Sequence, residues 1–183
     1  MKSVMKHDFS RVPSANIPRS VFNRSHAYKT TFDAGYLIPF YCDEALPGDT
    51  FNMRSTIFAR MTTPIYPVMD NMFMDVHYFA VPLRLIWTDF QKFMGETEDP
   101  YDPEATTEYL TPQIVAPAVT GWTVGTLSDY FGLPTGVASL SVNSFWHRAY
   151  NLIYNDWYRD QNIQDSIVVD KDAGPDTDSD YVS

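Results

Sequence analysis

The chain has 183 residues, a mass of 21.0 kDa and a formal net charge of −10. This length suits one domain with a buried core, and a hydrophobic content of 44% excludes a disordered acidic polymer. The single cysteine, Cys42, excludes an internal disulfide framework and a cysteine-based zinc finger. Aromatic residues reach 15%, a high share that favours extensive contact with other proteins.

Charge is distributed unevenly along the chain. Residues 1–30 contain six basic residues and one acidic residue, a net charge of +5, so the remainder carries −15. We interpret residues 1–30 as a basic, extended N-terminal arm. Such an arm either contacts nucleic acid or a neighbouring subunit, or is a loosely ordered terminus whose charges are only solvated. The candidate nucleic-acid contacts are Lys2, Lys6, Arg11, Arg19, Arg24 and Lys29.

Residues 31–82 have the patterns of β-strands. Residues 31–41 suit an edge or bulged strand, because they include an internal glycine and proline. A proline-glycine turn leads into residues 50–61, where apolar and polar side chains alternate and predict a strand with one buried face. Residues 72–82 are aromatic and β-branched, which predicts a strand with both faces covered.

Residues 83–165 change to helical periodicity around a long acidic excursion over residues 96–125. Short helices are predicted at residues 83–95 and 127–134, and the strongest helix at residues 141–161. In the strongest helix, apolar and aromatic residues recur in pairs at four-residue intervals, which predicts a core-facing stripe, with a subunit interface as the alternative. The stripe consists of Phe145, Trp146, Ala149, Tyr150, Ile153, Tyr154, Trp157 and Tyr158.

Residues 166–183 are predicted to form one short strand, SIVVD, followed by an acidic tail. Asp176, Asp178 and Asp180 are spaced like the start of a calcium-binding loop. However, Tyr181 occupies the position where that loop needs glycine, and no bidentate glutamate follows. We therefore expect these three aspartates to be solvated.

Motifs for catalysis and cofactor binding are absent from the sequence. Glycine-rich phosphate loops, nucleophile elbows and metal-binding histidine pairs do not occur, so no cofactor or metal is expected. The carboxylates of Asp43 and Glu44 raise the pKa expected for Cys42, which favours a small hydrophobic role for that residue. No apolar run reaches the roughly 18 residues of a membrane span, and no signal peptide opens the chain. These features favour a soluble, unsecreted binding or structural protein that is not an enzyme.

Long phrases of the sequence resemble one protein family. KTTFDAGYLIP, LPGDTF and YRDQN occur in order within a resemblance that covers about residues 24–176. They resemble the N-terminal part of the major capsid protein of the microviruses, small single-stranded DNA bacteriophages, and particularly of the gokushovirus branch.

The resemblance implies a mainly β fold with helical insertions, a viral single jelly roll of eight strands that is incomplete in this chain. The divisions expected are an arm (1–30), first jelly-roll strands (31–82), a helix-containing insertion with an acidic loop (83–165) and a short strand with an acidic truncated tail (166–183), all in one capsid domain. Family members are far longer, so we expect the leading part of a longer jelly roll.

The function implied is self-assembly into a T=1 icosahedral shell that packages circular single-stranded DNA. The partners would be further copies of the chain, packaged DNA and other phage structural proteins, without a membrane. The protein would reside in the virion and assemble in the host bacterial cytoplasm. On this interpretation the arm contacts DNA, with Arg54 and Arg60 as weaker candidates and Phe9, Phe22 and Tyr28 available for base stacking. The alternatives are a lectin-like jelly-roll module that binds a cell-surface ligand and, third, a hydrolase with a non-standard site.

Overall fold

A computed structural model describes residues 16–96 and 108–177. The helices are α1 (Leu83–Ile86), α2 (Phe90–Phe93), α3 (Leu127–Tyr130) and α4 (Phe145–Ile153), and α4 continues into a π-helical turn at Tyr154–Tyr158. The strands are β1 (Gln113–Val115) and β2 (Ser141–Asn143), which pair antiparallel with Ile114 opposite Val142. Among the described residues, the first helix begins at Leu83, and residues 16–82 contain neither helix nor strand.

The helix predicted at residues 83–95 is present as two short helices. The backbone of Trp87 is extended where α1 ends, and this residue is buried. Its ring packs against Phe93 at a centroid distance of 5.2 Å and against Phe145 at 5.6 Å. Burial of this large ring between α2 and α4 accounts for the break in the helix.

The other two predicted helices are present but shorter. The helix predicted at residues 127–134 is α3, and its chain reverses at Gly132, which has a φ of +81°. The helix predicted at residues 141–161 begins at Phe145 because residues 141–143 pair with β1 instead. Asn143 lies just before that helix, and its Oδ1 accepts a hydrogen bond from the Phe145 N–H at 2.8 Å.

The apolar core lies beside the two-stranded sheet. Ile114, Ala116 and Trp122 are buried there, and Leu133, Leu140 and Val142 pack against them. The Ala116 N–H donates to the Leu140 carbonyl at 2.8 Å, so the chain after β1 remains next to the chain before β2. This core is small for a chain of 183 residues.

The strands predicted within residues 31–82 and at SIVVD are absent from the described structure. A strand needs a ladder of backbone hydrogen bonds to a neighbouring strand. Among the described residues, no backbone hydrogen bond connects residues 50–81 to another segment. Side chains bring these segments together instead. The Tyr78 hydroxyl donates to Ser55 Oγ at 2.6 Å, and the Tyr78 ring contacts Phe40 at a centroid distance of 6.0 Å.

The exposed surface of the chain is much larger than that of a compact protein of equal mass. The surface area is 15893 Å², whereas a compact monomer of this mass exposes about 9,000 Å². The described residues form one two-stranded sheet and short helices, so the expected eight-stranded sandwich is not formed within them. The chain in this conformation leaves apolar surface that further protein could cover.

Gly121 provides a test of the packing around the core. Its φ is +65°, and a Cβ atom there would lie 2.5 Å from the backbone of Val137. Gly125 has a φ of +85° but open space around it. Gly125→Ala should cost about 1 kcal/mol from the left-handed backbone alone. Gly121→Ala should lower the free energy of unfolding by about 1–2 kcal/mol more than Gly125→Ala, because the backbone of Val137 must also move. Urea unfolding of both variants measures the difference, and equal losses would contradict the close approach.

Candidate functional site

The polar face of helix α4 is turned into the protein. Its buried residues are His147, Arg148 and Asn151, whereas none of the eight residues in the predicted core stripe is buried. Trp146 is 41% exposed and Trp157 is 72% exposed. The stripe is therefore only partly covered, and the prediction that it forms the core is wrong.

The inward polar face and the π-helical turn bind residues 167–176, an irregular segment that bends at residues 172–174 and ends in an isolated parallel bridge between Asp176 and Ile114 of β1. Asn155 Nδ2 donates to the Ile167 carbonyl at 2.7 Å, and the Ile167 N–H donates to Asn155 Oδ1 at 2.9 Å. Arg148 Nη1 donates to the Asp172 carbonyl at 2.9 Å. Before that bridge the segment has no strand partner, so side chains from α4 and the π-helical turn satisfy backbone groups of Ile167, Val168 and Asp172 instead. This explains why SIVVD is not a strand.

A buried ion pair joins α4 to the end of that segment. The guanidinium of Arg148 donates two hydrogen bonds to the Asp176 carboxylate, at 2.7 and 2.6 Å, and both side chains are fully buried. Arg148 Nη1 also donates to the Ile86 carbonyl at 3.1 Å, and the Asp176 N–H donates to the Gln113 carbonyl at 2.8 Å. The pair thus connects α1, β1, α4 and the C-terminal segment.

The expectation that Asp176 is solvated is therefore wrong, because Arg148 holds this carboxylate inside the protein. Asp178 and Asp180 lie outside the described residues. Sequence reasoning missed the pair. The available signal was an arginine within an aromatic helix, but nothing in the sequence identified its partner 28 residues later.

His147 and Ser128 form a second buried polar contact. Ser128 Oγ lies 3.0 Å from His147 Nε2, and the ring of Phe131 contacts the imidazole edge-on at a centroid distance of 4.9 Å. Burial lowers the pKa of His147 to about 4, and the charge of Asp176 opposes this shift. A serine beside a neutral histidine resembles part of a nucleophilic site. Both side chains are buried, however, so a substrate could not reach the serine without local opening.

An open apolar cleft lies beside the exposed end of the aromatic stripe. It lies between residues 79–85 and the helical residues 152–157. The ring of Phe79 contacts Trp157 at a centroid distance of 5.7 Å and Tyr158 at 6.1 Å. Beside them, the Tyr158 hydroxyl lies 2.6 Å from His77 Nδ1. Asp156 is the charged residue among those that line this cleft.

The candidate DNA-binding residues divide into two sets. Lys2, Lys6, Arg11 and the stacking candidate Phe9 lie outside the described residues. Arg19 Nη1 donates to the Gly48 carbonyl at 2.7 Å, and Arg24 pairs with Asp43 at 3.1 Å. Lys29, Phe22, Arg54 and Arg60 are exposed. The structure thus places Arg19 and Arg24 beside the loop at residues 43–48.

Other potentially reactive side chains are dispersed. Burial raises the pKa of Cys42 to about 11, which agrees in direction with the sequence expectation, although the cause is burial and not the neighbouring carboxylates. Within residues 16–96 and 108–177, no three metal-ligating side chains form a group. None of the helices in these ranges is both long and apolar enough to cross a membrane.

Exposed apolar side chains are concentrated in residues 51–79. In this segment, side chains that sequence periodicity assigned to a buried face remain substantially exposed. The exposed large apolar residues are Phe51, Met53, Ile57, Phe58, Met61, Ile65, Tyr66, Val68, Met69, Met72, Phe73, Met74, Tyr78 and Phe79. An exposed apolar surface of this extent is typical of a protein interface.

Comparison with known proteins gives consistent matches. The family model described as "Capsid protein (F protein)" matches residues 10–182. Capsid protein VP1 of Bdellovibrio phage phiMH2K is 48% identical over 176 residues, which are 96% of this chain and 32% of that protein. Capsid protein VP1 of Chlamydia phage 1 is 46% identical over 97% of the chain and 30% of that protein. Capsid protein VP1 of Spiroplasma virus 4 is 40% identical over 91% of the chain and 30% of that protein. The chain thus spans about a third of the length of these relatives.

Proposed function

Because the chain belongs to the phage capsid protein (F protein) family, we propose that it serves in a major capsid protein that self-assembles into a T=1 icosahedral shell around circular single-stranded DNA. This family is structural and is not a class of enzymes. The protein would reside in the virion, beside other phage structural proteins and without a membrane, after assembly in the host bacterial cytoplasm.

The observation that carries this proposal is the exposed apolar surface of residues 51–79. Burial of apolar area contributes about 25 cal/mol per Å², so contacts over such a surface strongly favour association. A protein that works as a monomer rarely exposes so many large apolar side chains within one segment. A shell subunit, in contrast, is surrounded by protein on several sides.

The jelly roll is part of the same proposal. Residues 31–41, 50–61 and 72–82 contain no helix, and contacts of Tyr78 with Ser55 and Phe40 connect them. Among the described residues, no backbone hydrogen bond joins residues 50–81 to another segment, so their backbone groups are available for further strands. Antiparallel pairing with other strands of a complete capsid domain would convert these segments into the predicted sandwich. The divisions at residues 1–30, 31–82, 83–165 and 166–183 remain predictions within that domain.

Expression of the full reading frame that contains this chain tests the proposal. We expect large particles on a sucrose gradient that protect single-stranded DNA from added nuclease. Particles without protected DNA would contradict the packaging function while leaving assembly intact. Protein that remains at the top of the gradient at every concentration would contradict assembly.

Replacement of the basic arm residues should weaken DNA binding in a salt-dependent way. Each phosphate contact contributes about −0.7 to the slope of log K against log salt for a single strand. Substituting the six arm residues with glutamine should therefore reduce that slope by up to about 4, measured by fluorescence anisotropy with a labelled oligonucleotide. Among the described arm residues, Arg24 should contribute least to the slope, since Asp43 already pairs with its charge. The residues to substitute are Lys2, Lys6, Arg11, Arg19, Arg24 and Lys29.

A matched control replaces two exposed basic residues outside the arm, Arg84 and Lys171, with glutamine. This variant should keep the slope of the unaltered chain. An unchanged slope for the six-residue arm variant would remove the arm from the DNA interface.

A further inference from the structure

Val21 and Phe22 form an exposed apolar pair, the arm knob, on the described part of the N-terminal arm. Val21 is 98% exposed and Phe22 is 80% exposed. Arg19 on one side of the knob donates to the Gly48 carbonyl, and Arg24 on the other side pairs with Asp43. Both ends of the short segment are therefore attached to the same loop. An apolar pair presented in this preorganised way loses little conformational entropy when it binds.

The apolar cleft described above, here called the Trp157 cleft, is a suitable receptor for such a pair. Phe79, Pro82, Leu85, Ile153 and Trp157 line it. Trp157 is exposed and its ring contacts Phe79 at an interplanar angle of 53°; an accessible tryptophan of this kind is typical of the residues that dominate binding energy in protein interfaces. An aromatic ring from a partner would complete this cluster and bury apolar area on both sides.

The charges beside the two features are complementary. Arg19 bonds a neutral carbonyl beside the knob, and among the described residues no carboxylate pairs with it. Asp156 lines the cleft, and no described basic residue forms an ion pair with it. An approach of the knob to the cleft would bring these opposite charges together, which favours that orientation over the reverse.

We propose that the arm knob of one copy of this chain inserts into the Trp157 cleft of a second copy. The inference rests on the proposed self-assembly and specifies one contact within it. Because the two surfaces are different, the contact is head-to-tail, and its repetition produces a ring when the rotation closes. Rings of subunits around symmetry axes are the elements from which an icosahedral shell is built.

Sedimentation velocity of the 183-residue chain tests the contact without requiring a shell. The unaltered chain should associate with increasing concentration. Phe22→Ser and Trp157→Ser should each weaken association at least about tenfold, as expected for a central interface residue. Val119→Ser, a similarly exposed apolar residue outside the two surfaces, is the matched control and should associate like the unaltered chain.

Mixing the two variants distinguishes this contact from general stickiness. Phe22→Ser retains an intact cleft and Trp157→Ser retains an intact knob, so an equimolar mixture should form dimers although each variant alone stays monomeric. A mixture that stays monomeric, undiminished association of either single variant, or a monomeric unaltered chain would overturn the inference. If the full reading frame forms shells but the mixture of variants forms no dimers, this contact alone is refuted. If the mixture forms dimers but the full reading frame forms no shells, the proposed function alone is refuted.

Discussion

Arg148→Met is expected to lower the free energy of unfolding by about 3–5 kcal/mol, the range for breaking a buried ion pair. The substitution leaves the Asp176 carboxylate buried without the two hydrogen bonds, of 2.7 and 2.6 Å, that compensate its charge. It also removes the donors to the carbonyls of Ile86 and Asp172. Urea denaturation followed by tryptophan fluorescence measures this change, because Trp87 is buried beside α4.

The double variant Arg148→Met/Asp176→Leu separates the cost of an orphaned charge from that of lost packing. It should be more stable than Arg148→Met alone, because no uncompensated charge then remains in the interior. Arg84→Met, at an exposed arginine of α1, is the control and should change stability by less than about 0.5 kcal/mol. A loss for Arg148→Met as small as this control would show that the pair does not hold the C-terminal segment.

Acidification should destabilise the chain through His147. Its pKa in the folded protein is about 4, lowered from 6.5 by burial. Between these values the unfolded chain binds a proton that the folded chain does not, so stability is full above pH 6.5 and declines as the pH falls. The decline should be about 1.4 kcal/mol per pH unit and about 3 kcal/mol in total by pH 4.

His147→Gln isolates this contribution, because glutamine can still bond Ser128 but does not titrate in this range. Relative to this variant, the unaltered chain should lose about 3 kcal/mol of unfolding free energy between pH 7 and pH 4. The surroundings of the imidazole are Ser128 and Phe131 near α3, and the charge of Asp176. Parallel pH profiles would show that another group controls the acid response.

Local signals in the sequence predicted the turn at residues 46–49 and the approximate positions of the helices. Proline and glycine at 46–49 gave the predicted turn, in which Asp49 N–H donates to the Leu46 carbonyl at 3.0 Å and Gly48 has a φ of +88°. The helix near residues 127–134 ends at its glycine as expected. Such signals act over a few residues, so they survive whatever the rest of the chain does.

Signals that depend on distant partners were less informative. The alternation at residues 50–61 leads to a strand only where a second strand pairs with those residues. The described residues contain no such partner strand. The aromatic periodicity of α4 implied an aromatic core. The helix instead turns Arg148 and Asn151 inward, because the adjacent irregular segment needs hydrogen-bond partners.

The resemblance in the sequence identified the family, which the comparisons confirm. Residue-level interfaces were less accessible. Periodicity marked Trp157 as apolar but could not show that it stays exposed beside Phe79. Likewise, the charge count identified a basic arm, but not that Arg19 and Arg24 attach it to the loop at residues 43–48.

Electron microscopy of the expressed full reading frame tests the central claim most directly. The account predicts closed, uniform particles with icosahedral symmetry, in which protein covers the apolar side chains of residues 51–79. Dispersed monomers or irregular aggregates under conditions where the protein is folded would contradict it.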